Sequence, residues 1–284
     1  YLSPTVIDQI VENPDMLQLG GEKREMTPFF SDIQGFSTIS EGLTPEELVQ
    51  LLNEYLTAMC DIISSHNGTI DKFEGDAIIA FWGAPLDLPD HATVACYAAI
   101  EMQQRNEEMR QMLREQNRPL LFTRMGLNSG PVVVGNMGSA DRMDYTMMGD
   151  VVNLAARLEG ANKFYKTFTM VSGSTYELAK DDIDSRQLDI IRVVGKKEPV
   201  HVYEVLARKN ETGSEMSGVV EQYLKGLKLY QDRNFADAVK EFEKVLDIDQ
   251  EDGPSLTYVK RCGVFLETPP EKDWDGVYTF TEKG

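Results

Sequence analysis

The sequence predicts an α+β fold with a largely antiparallel sheet, followed by a small C-terminal helical region. Three observations predict it. Strand-like apolar runs alternate with long amphipathic helical segments across residues 22–208. Two runs are joined by the turn Glu74-Gly75, too short for a crossover, so they must pair antiparallel. Beyond a polar stretch at 209–218 the strand-like runs stop and helical periodicity takes over.

The elements follow in order. Residues 1–21 read as an N-terminal connector helix, with Ser3 as its cap, Pro4 in its first turn and Gly20-Gly21 at its end. A strand is expected from Met26 to Asp32. Thr44-Pro45-Glu46-Glu47 then opens a long helix: Thr44 caps, Pro45 takes the first helical position and Glu47 completes a capping box. Leu48, Leu51, Leu52, Tyr55, Leu56 and Met59 give that helix one apolar face. Thr69–Phe73 and Asp76–Phe81 form a hairpin. A second amphipathic helix covers residues 90–115. Strands are expected over Phe122–Asn128 and Val132–Val134, a helix over 150–162, and a strand over Thr167–Val171. Asp189–Val194 and His201–Leu206 read as a closing strand pair around Gly195-Lys196-Lys197-Glu198-Pro199.

Residues 209–218 read as a linker. In 219–284, Tyr223, Leu224, Leu227 and Tyr230, then Phe235, Ala238, Val239, Phe242, Val245 and Leu246, mark two amphipathic helices. A third begins after Asp252-Gly253-Pro254. The pattern is similar to one tetratricopeptide repeat and the start of a second, with an extended tail. A lone repeat is too small to stand alone, so it must cap its own chain or a partner.

Composition narrows the function. The formal net charge of -19 over 284 residues repels nucleic acid and anionic lipid, so no nucleic-acid partner is expected. Cys60, Cys96 and Cys262 are far apart and form no metal or disulfide spacing, which fits a reducing compartment. No run is apolar enough to span a bilayer. The chain starts at Tyr1, which suggests a fragment with a cytoplasmic catalytic region whose upstream sensor or membrane segment is missing. His66, His91 and His201 lack metal-like spacing and read as structural. The methionine-rich stretches read as core and interface filler.

Asp32 and Asp76 are the candidates for the chemistry, against the alternative of ordinary turn or cap aspartates. Each lies where a strand-like run meets a glycine turn, in Phe30-Ser31-Asp32-Ile33-Gln34-Gly35-Phe36 and Lys72-Phe73-Glu74-Gly75-Asp76. A carboxylate there, beside backbone that a ligand can approach closely, suits Mg²⁺ bound to phosphates. A third segment, Tyr145-Thr146-Met147-Met148-Gly149-Asp150-Val151-Val152-Asn153-Leu154-Ala155-Ala156-Arg157, places Asn153 and Arg157 on one helical face.

These three segments, in this order and at this spacing, resemble the motifs of class III nucleotidyl cyclases over residues 20–208. The resemblance implies a ferredoxin-like core and a homodimer whose two active sites lie at the interface. It implies that Asp32, Asp76 and the Ile33 carbonyl hold two Mg²⁺ or Mn²⁺ ions, and that backbone amides of Ile33, Gln34, Gly35 and Phe36 take phosphate oxygens. Asn153 would orient the ribose, Arg157 would stabilise charge on the α-phosphate, and Lys196, or Lys197 after a one-residue shift, would meet the terminal phosphates. Each site would take its aspartates from one protomer and Lys72, Thr146, Asn153, Arg157 and Lys196 from the other.

Lys72 and Thr146 then select the base. Lysine only donates, which suits adenine N1, and a threonine hydroxyl can accept from the N6 amine. Guanine reverses that pattern. The expectation is an adenylate cyclase making 3′,5′-cyclic AMP and pyrophosphate from ATP, in second-messenger signalling. A guanylyl cyclase, a catalytically silent dimerising module and a two-carboxylate phosphohydrolase are the alternatives.

Overall fold

The computed structural model describes Ile7, Val11 and residues 19–139, 142–192 and 198–279. Its centre is β1 (Gly20–Ile33), long enough to serve different neighbours along its length. Gly20–Met26 pairs antiparallel with β5 (Gly130–Gly138). Thr27–Ser31 pairs with β3 (Ala77–Trp82), and Phe29–Ile33 pairs with β4 (Thr123–Leu127) on the other side. The main sheet runs β10-β8-β9-β7-β4-β1-β3-β2, and β5 with β6 (Met143–Met148) forms a hairpin leaving β1. Here β2 is Thr69–Glu74, β7 Thr169–Ser172, β8 Ile183–Arg192, β9 Val200–Arg208 and β10 Tyr278–Thr279. Among the described residues only β4 with β7 and β8 with β10 pair in parallel, so the antiparallel expectation holds.

Helices α1 (Phe36–Glu41), α2 (Pro45–Ser65) and α3 (His91–Glu115) precede β4 except for the β2–β3 hairpin between α2 and α3. The capping box on α2 is present: Thr44 accepts from the Glu47 amide, and Glu47 accepts from the Thr44 amide at 2.9 Å. Leu51, Tyr55, Met59 and Ile63 of α2 and Ala95, Ala99 and Met102 of α3 bury against Phe29, Ile78, Trp82 and Leu127 of the sheet.

Helix α4 (Asp150–Tyr165) packs on β4 and β1. Its contact with β4 is backbone to backbone. A Cβ at Gly126 would lie 2.2 Å from the Glu159 amide nitrogen and 2.3 Å from the Ala155 carbonyl oxygen. Only glycine permits that approach. A short helix, α5 (Gly173–Ala179), follows β7, capped by Ser172 accepting from the Thr175 amide.

Several boundaries differ from the sequence reading. Gly20-Gly21 does not end a helix; it opens β1, because Asn136 and Gly135 of β5 supply the pairing. Strand β5 runs past Gly135 to Gly138, and β6 and α5 were not anticipated. Strand β8 starts at Ile183 rather than Asp189. Lys196 and Lys197 lie outside the described residues, as does most of the connector segment.

The C-terminal helices are α6 (Ser214–Gln231), α7 (Phe235–Ile248) and α8 (Gly253–Glu267), so α6 begins inside the expected linker. They share one core with the sheet domain. Val219, Tyr223, Leu227, Tyr230, Phe242 and Tyr258 pack with Leu154, Leu158 and Tyr165 of α4 and with Met170, Leu188 and Val202 of the sheet. The hydroxyls of Tyr223 and Tyr258 both donate to the Leu188 carbonyl at 2.9 Å. Buried ion pairs cross the same seam: Arg186 with Asp252 at 2.6 Å, and Arg261 with Asp189 at 2.6 Å. The helices therefore cap their own chain. Among the described residues, no helix is long and apolar enough to cross a membrane.

Candidate active site

Asp32 sits one residue before the end of β1, and Asp76 follows Gly75 in the β2–β3 turn. Gly75 has φ 66°, a left-handed conformation that glycine supplies without strain. The pairing of β1 with β3 brings the two carboxylates to one corner of the sheet. There Asp76 Oδ2 accepts the Ile33 amide at 3.0 Å. Burial raises the Asp76 carboxyl above its ordinary range; the Ile33 amide pulls it back, and the neighbouring charge of Asp32 adds to the rise. Two carboxylates held this close favour a cation between them.

Two charged residues not singled out in the sequence complete this corner. Arg124 lies directly across from Asp32 in the β1–β4 register and donates to Asp32 Oδ2 at 2.9 Å. The same guanidinium donates to Glu159 Oε1 of α4 at 2.9 Å. Burial lifts the Glu159 carboxyl to about 7; Arg124 opposes that rise, while Asp32 and Asp76 add to it. Opposite charges facing across adjacent strands are a readable signal once the strand pairing is known.

The four expected phosphate-contacting amides are not equivalent. The Ile33 amide is engaged by Asp76, and the Gln34 amide donates to the Phe122 carbonyl at 2.7 Å. That leaves Gly35 and Phe36, at the start of α1, as the amides placed for a phosphate. Gly35 has φ 69°, again a conformation suited to glycine.

Lys72 and Thr146 come together through a residue between them. The Thr146 hydroxyl donates to Asp71 Oδ2 at 2.6 Å, and Lys72 Nζ lies 3.4 Å from Asp71 Oδ1. Strands β2 and β6 thus present one lysine and one threonine around a shared buried carboxylate. Asp71 carried no sequence signal beyond its place next to Lys72.

Asn153 and Arg157 lie on α4, one turn apart, with Asn153 exposed and Arg157 half-buried. Arg157 Nη1 is buried and has no hydrogen-bond partner among the described residues. A buried guanidinium nitrogen without a partner is costly unless an anion completes it. Phe73 beside Lys72, and the cross-strand pair Val133 and Met148, expose apolar surface close to the same hairpins.

The donor set fits magnesium or manganese. Such ions bind through one or two carboxylates and take their remaining oxygens from substrate phosphates and water. Among the described residues no group of three or more histidine, cysteine or carboxylate side chains could cage a metal by itself. Asp32, Asp76 and the Ile33 carbonyl meet the smaller requirement.

Comparison with known proteins identifies the family. Residues 21–207 match the family described as the adenylate and guanylate cyclase catalytic domain. The chain is 40% identical over 184 residues to adenylate cyclase 1 of Rhizobium meliloti, covering 65% of this chain and 28% of that protein. It is 35% identical over 191 residues to an adenylate cyclase of Anabaena cylindrica, covering 65% of this chain and 37% of the relative. The chain thus spans well under half the length of these curated relatives. Among solved structures, the adenylyl cyclase CyaB from P. aeruginosa superposes with a TM-score of 0.63 at 40% identity, over 69% of this chain and 100% of that one. The guanylyl cyclase Cya2 superposes with a TM-score of 0.61 at 37% identity, over 69% and 98%. With the motifs, the sheet topology and these matches in agreement, the chain belongs to the adenylate and guanylate cyclase catalytic domain family.

Proposed function

We propose that the chain converts ATP to 3′,5′-cyclic AMP and pyrophosphate in a homodimer with two shared sites. The observation that carries this reading is the corner where the Ile33 amide holds Asp76 against Asp32, a seat for divalent cations and a triphosphate. Two Mg²⁺ or Mn²⁺ ions bound there would lower the pKa of the ribose 3′-hydroxyl and offset the charge of the triphosphate. Arg157, with its unpaired buried nitrogen, stabilises charge that builds on the α-phosphate as pyrophosphate departs. Asn153, one turn earlier, orients the ribose. The amides of Gly35 and Phe36 take phosphate oxygens, and Lys196 is assigned to the terminal phosphates. Catalysis belongs to residues 22–208, and the three helices beyond brace that domain.

Base choice rests on Lys72 as donor to N1 and Thr146 as acceptor from N6. The dimer is supported by the exposed Phe73, Val133 and Met148 beside the base-reading residues. A guanylyl cyclase is the second reading, because similarity to Cya2 nearly equals that to CyaB. Product analysis with ATP or GTP and Mn²⁺, beside an Asp76→Ala control, tests both. Cyclic AMP from ATP, lost in the control, is the expected result. Cyclic GMP as the main product would replace the reading, and no product from a verified dimer would refute it.

A further inference from the structure

Asp71 occupies the point where β2 slips register. Ile70 pairs with Ala80 and Lys72 with Ile79, so Asp71 is the extra residue of a bulge. Bulges re-aim side chains. Neighbours in a regular strand point to opposite faces, yet Asp71 Oδ1 and Lys72 Nζ approach to 3.4 Å. The Asp71 side chain is 3% exposed and Lys72 is 42% exposed. Burial pushes the Asp71 carboxyl up; the Thr146 hydrogen bond and the Lys72 charge hold it down, and Asp144 on β6 opposes them.

A threonine hydroxyl has one proton and two lone pairs, so alone it reads a donor and an acceptor equally well. Here its proton goes to a carboxylate, which can only accept. Toward any third group Thr146 is then an acceptor. Adenine offers a donor at N6, whereas guanine offers an acceptor at the same place. We propose that Asp71 is a specificity-determining positioning residue: by holding the Thr146 proton, it fixes that hydroxyl as an acceptor and makes the pocket read adenine. This rests on the ATP reading above. Asp71 gives a threonine the acceptor-only character that an aspartate has by itself, and it does so without touching the base.

The test compares kcat/KM for ATP, GTP and purine riboside triphosphate, which carries hydrogen in place of the N6 amine. The proteins are the full chain, Asp71→Ala, the isosteric Asp71→Asn, Thr146→Val and the double variant Asp71→Ala/Thr146→Val. Asp71→Ala is expected to lower the ATP-to-analogue and ATP-to-GTP ratios about tenfold, the scale of one hydrogen bond, whereas Asp71→Asn, whose side-chain oxygen still accepts the Thr146 proton, is expected to keep them. In the Thr146→Val background, removing Asp71 is expected to leave both ratios unchanged. An equal loss with all three substrates, up to inactivity, would mark a structural role and overturn the proposal. So would a ratio change that persists without the Thr146 hydroxyl. A parent chain that prefers GTP defeats the ATP reading itself, and that failure shows in the unsubstituted arm alone.

Discussion

Glu159 shows how a single residue is set by neighbours distant in sequence. It keeps its proton to about pH 7, against an ordinary 4.5, because it is buried near two aspartates. Between those values the folded state binds more protons than the unfolded chain, so stability falls as pH rises through 7. Glutamine at this position cannot ionise. In EDTA, Glu159→Gln is therefore expected to gain on the parent chain between pH 5 and 8, by up to about 3 kcal/mol. Thermal melts across that range check it; a constant difference would show that Glu159 titrates normally. At this scale, Asp32, Asp76, Lys72, Thr146, Asn153 and Arg157 stand out as candidates in the sequence because they sit in spaced motifs. Arg124, Glu159 and Asp71 were not, because each draws its role from a partner on another strand or helix. In the sequence Arg124 is one more polar residue of a strand; only the β1–β4 register sets Asp32 opposite it.

Elements were legible where a signal was local. The capping box at Thr44, the apolar face of α2 and the hairpin were read correctly, although the hairpin turn is Gly75-Asp76 rather than Glu74-Gly75. The misses have long-range causes. The Gly20 end of β1 is a strand only because β5 pairs with it. The first half of β8 carries Asp184 and Arg186, and Arg186 points into the core, where Glu204 and Asp252 pair with it. A buried charge of that kind hides the alternation that marks a strand. The close approach of β4 and α4 carries a prediction at this scale. Gly126→Ala must push α4 off the sheet, since its Cβ would meet helix backbone rather than a flexible side chain. The expected loss is about 1–3 kcal/mol or more. Turnover should fall further than stability, because Asn153 and Arg157 ride on that helix. Unchanged kcat in a folded Gly126→Ala protein would show that their placement tolerates the shift.

Two predictions belong to the whole molecule. Arg261→Ala leaves Asp189 buried with neutral donors alone, the Tyr165 hydroxyl at 2.6 Å and the Ile190 amide at 2.7 Å. Breaking a buried pair from one side costs about 3–5 kcal/mol. Because the seam joins both regions, the loss should lower a single cooperative transition. Trp82 reports the first core and Trp274 the second, so variants keeping one tryptophan each can follow them separately by fluorescence. Coincident melts are expected; two separated melts would show independent units. The shared-site dimer predicts that Asp76→Ala and Arg157→Ala chains, each inactive, recover activity when mixed, through heterodimers with one intact site. No recovery with heterodimers demonstrated would refute shared sites.

The shared core has one more consequence, for anyone who recombines catalytic modules. The stretch that matches the family ends at residue 207, and a cut there looks natural on paper. In space it would strip Leu158, Met170 and Leu188 of their apolar cover and leave Asp189 and Arg186 facing water without Arg261 and Asp252. A transplant that moves this domain behind a sensor has to carry the last three helices with it. The unit that can be exchanged is larger than the unit that can be recognised.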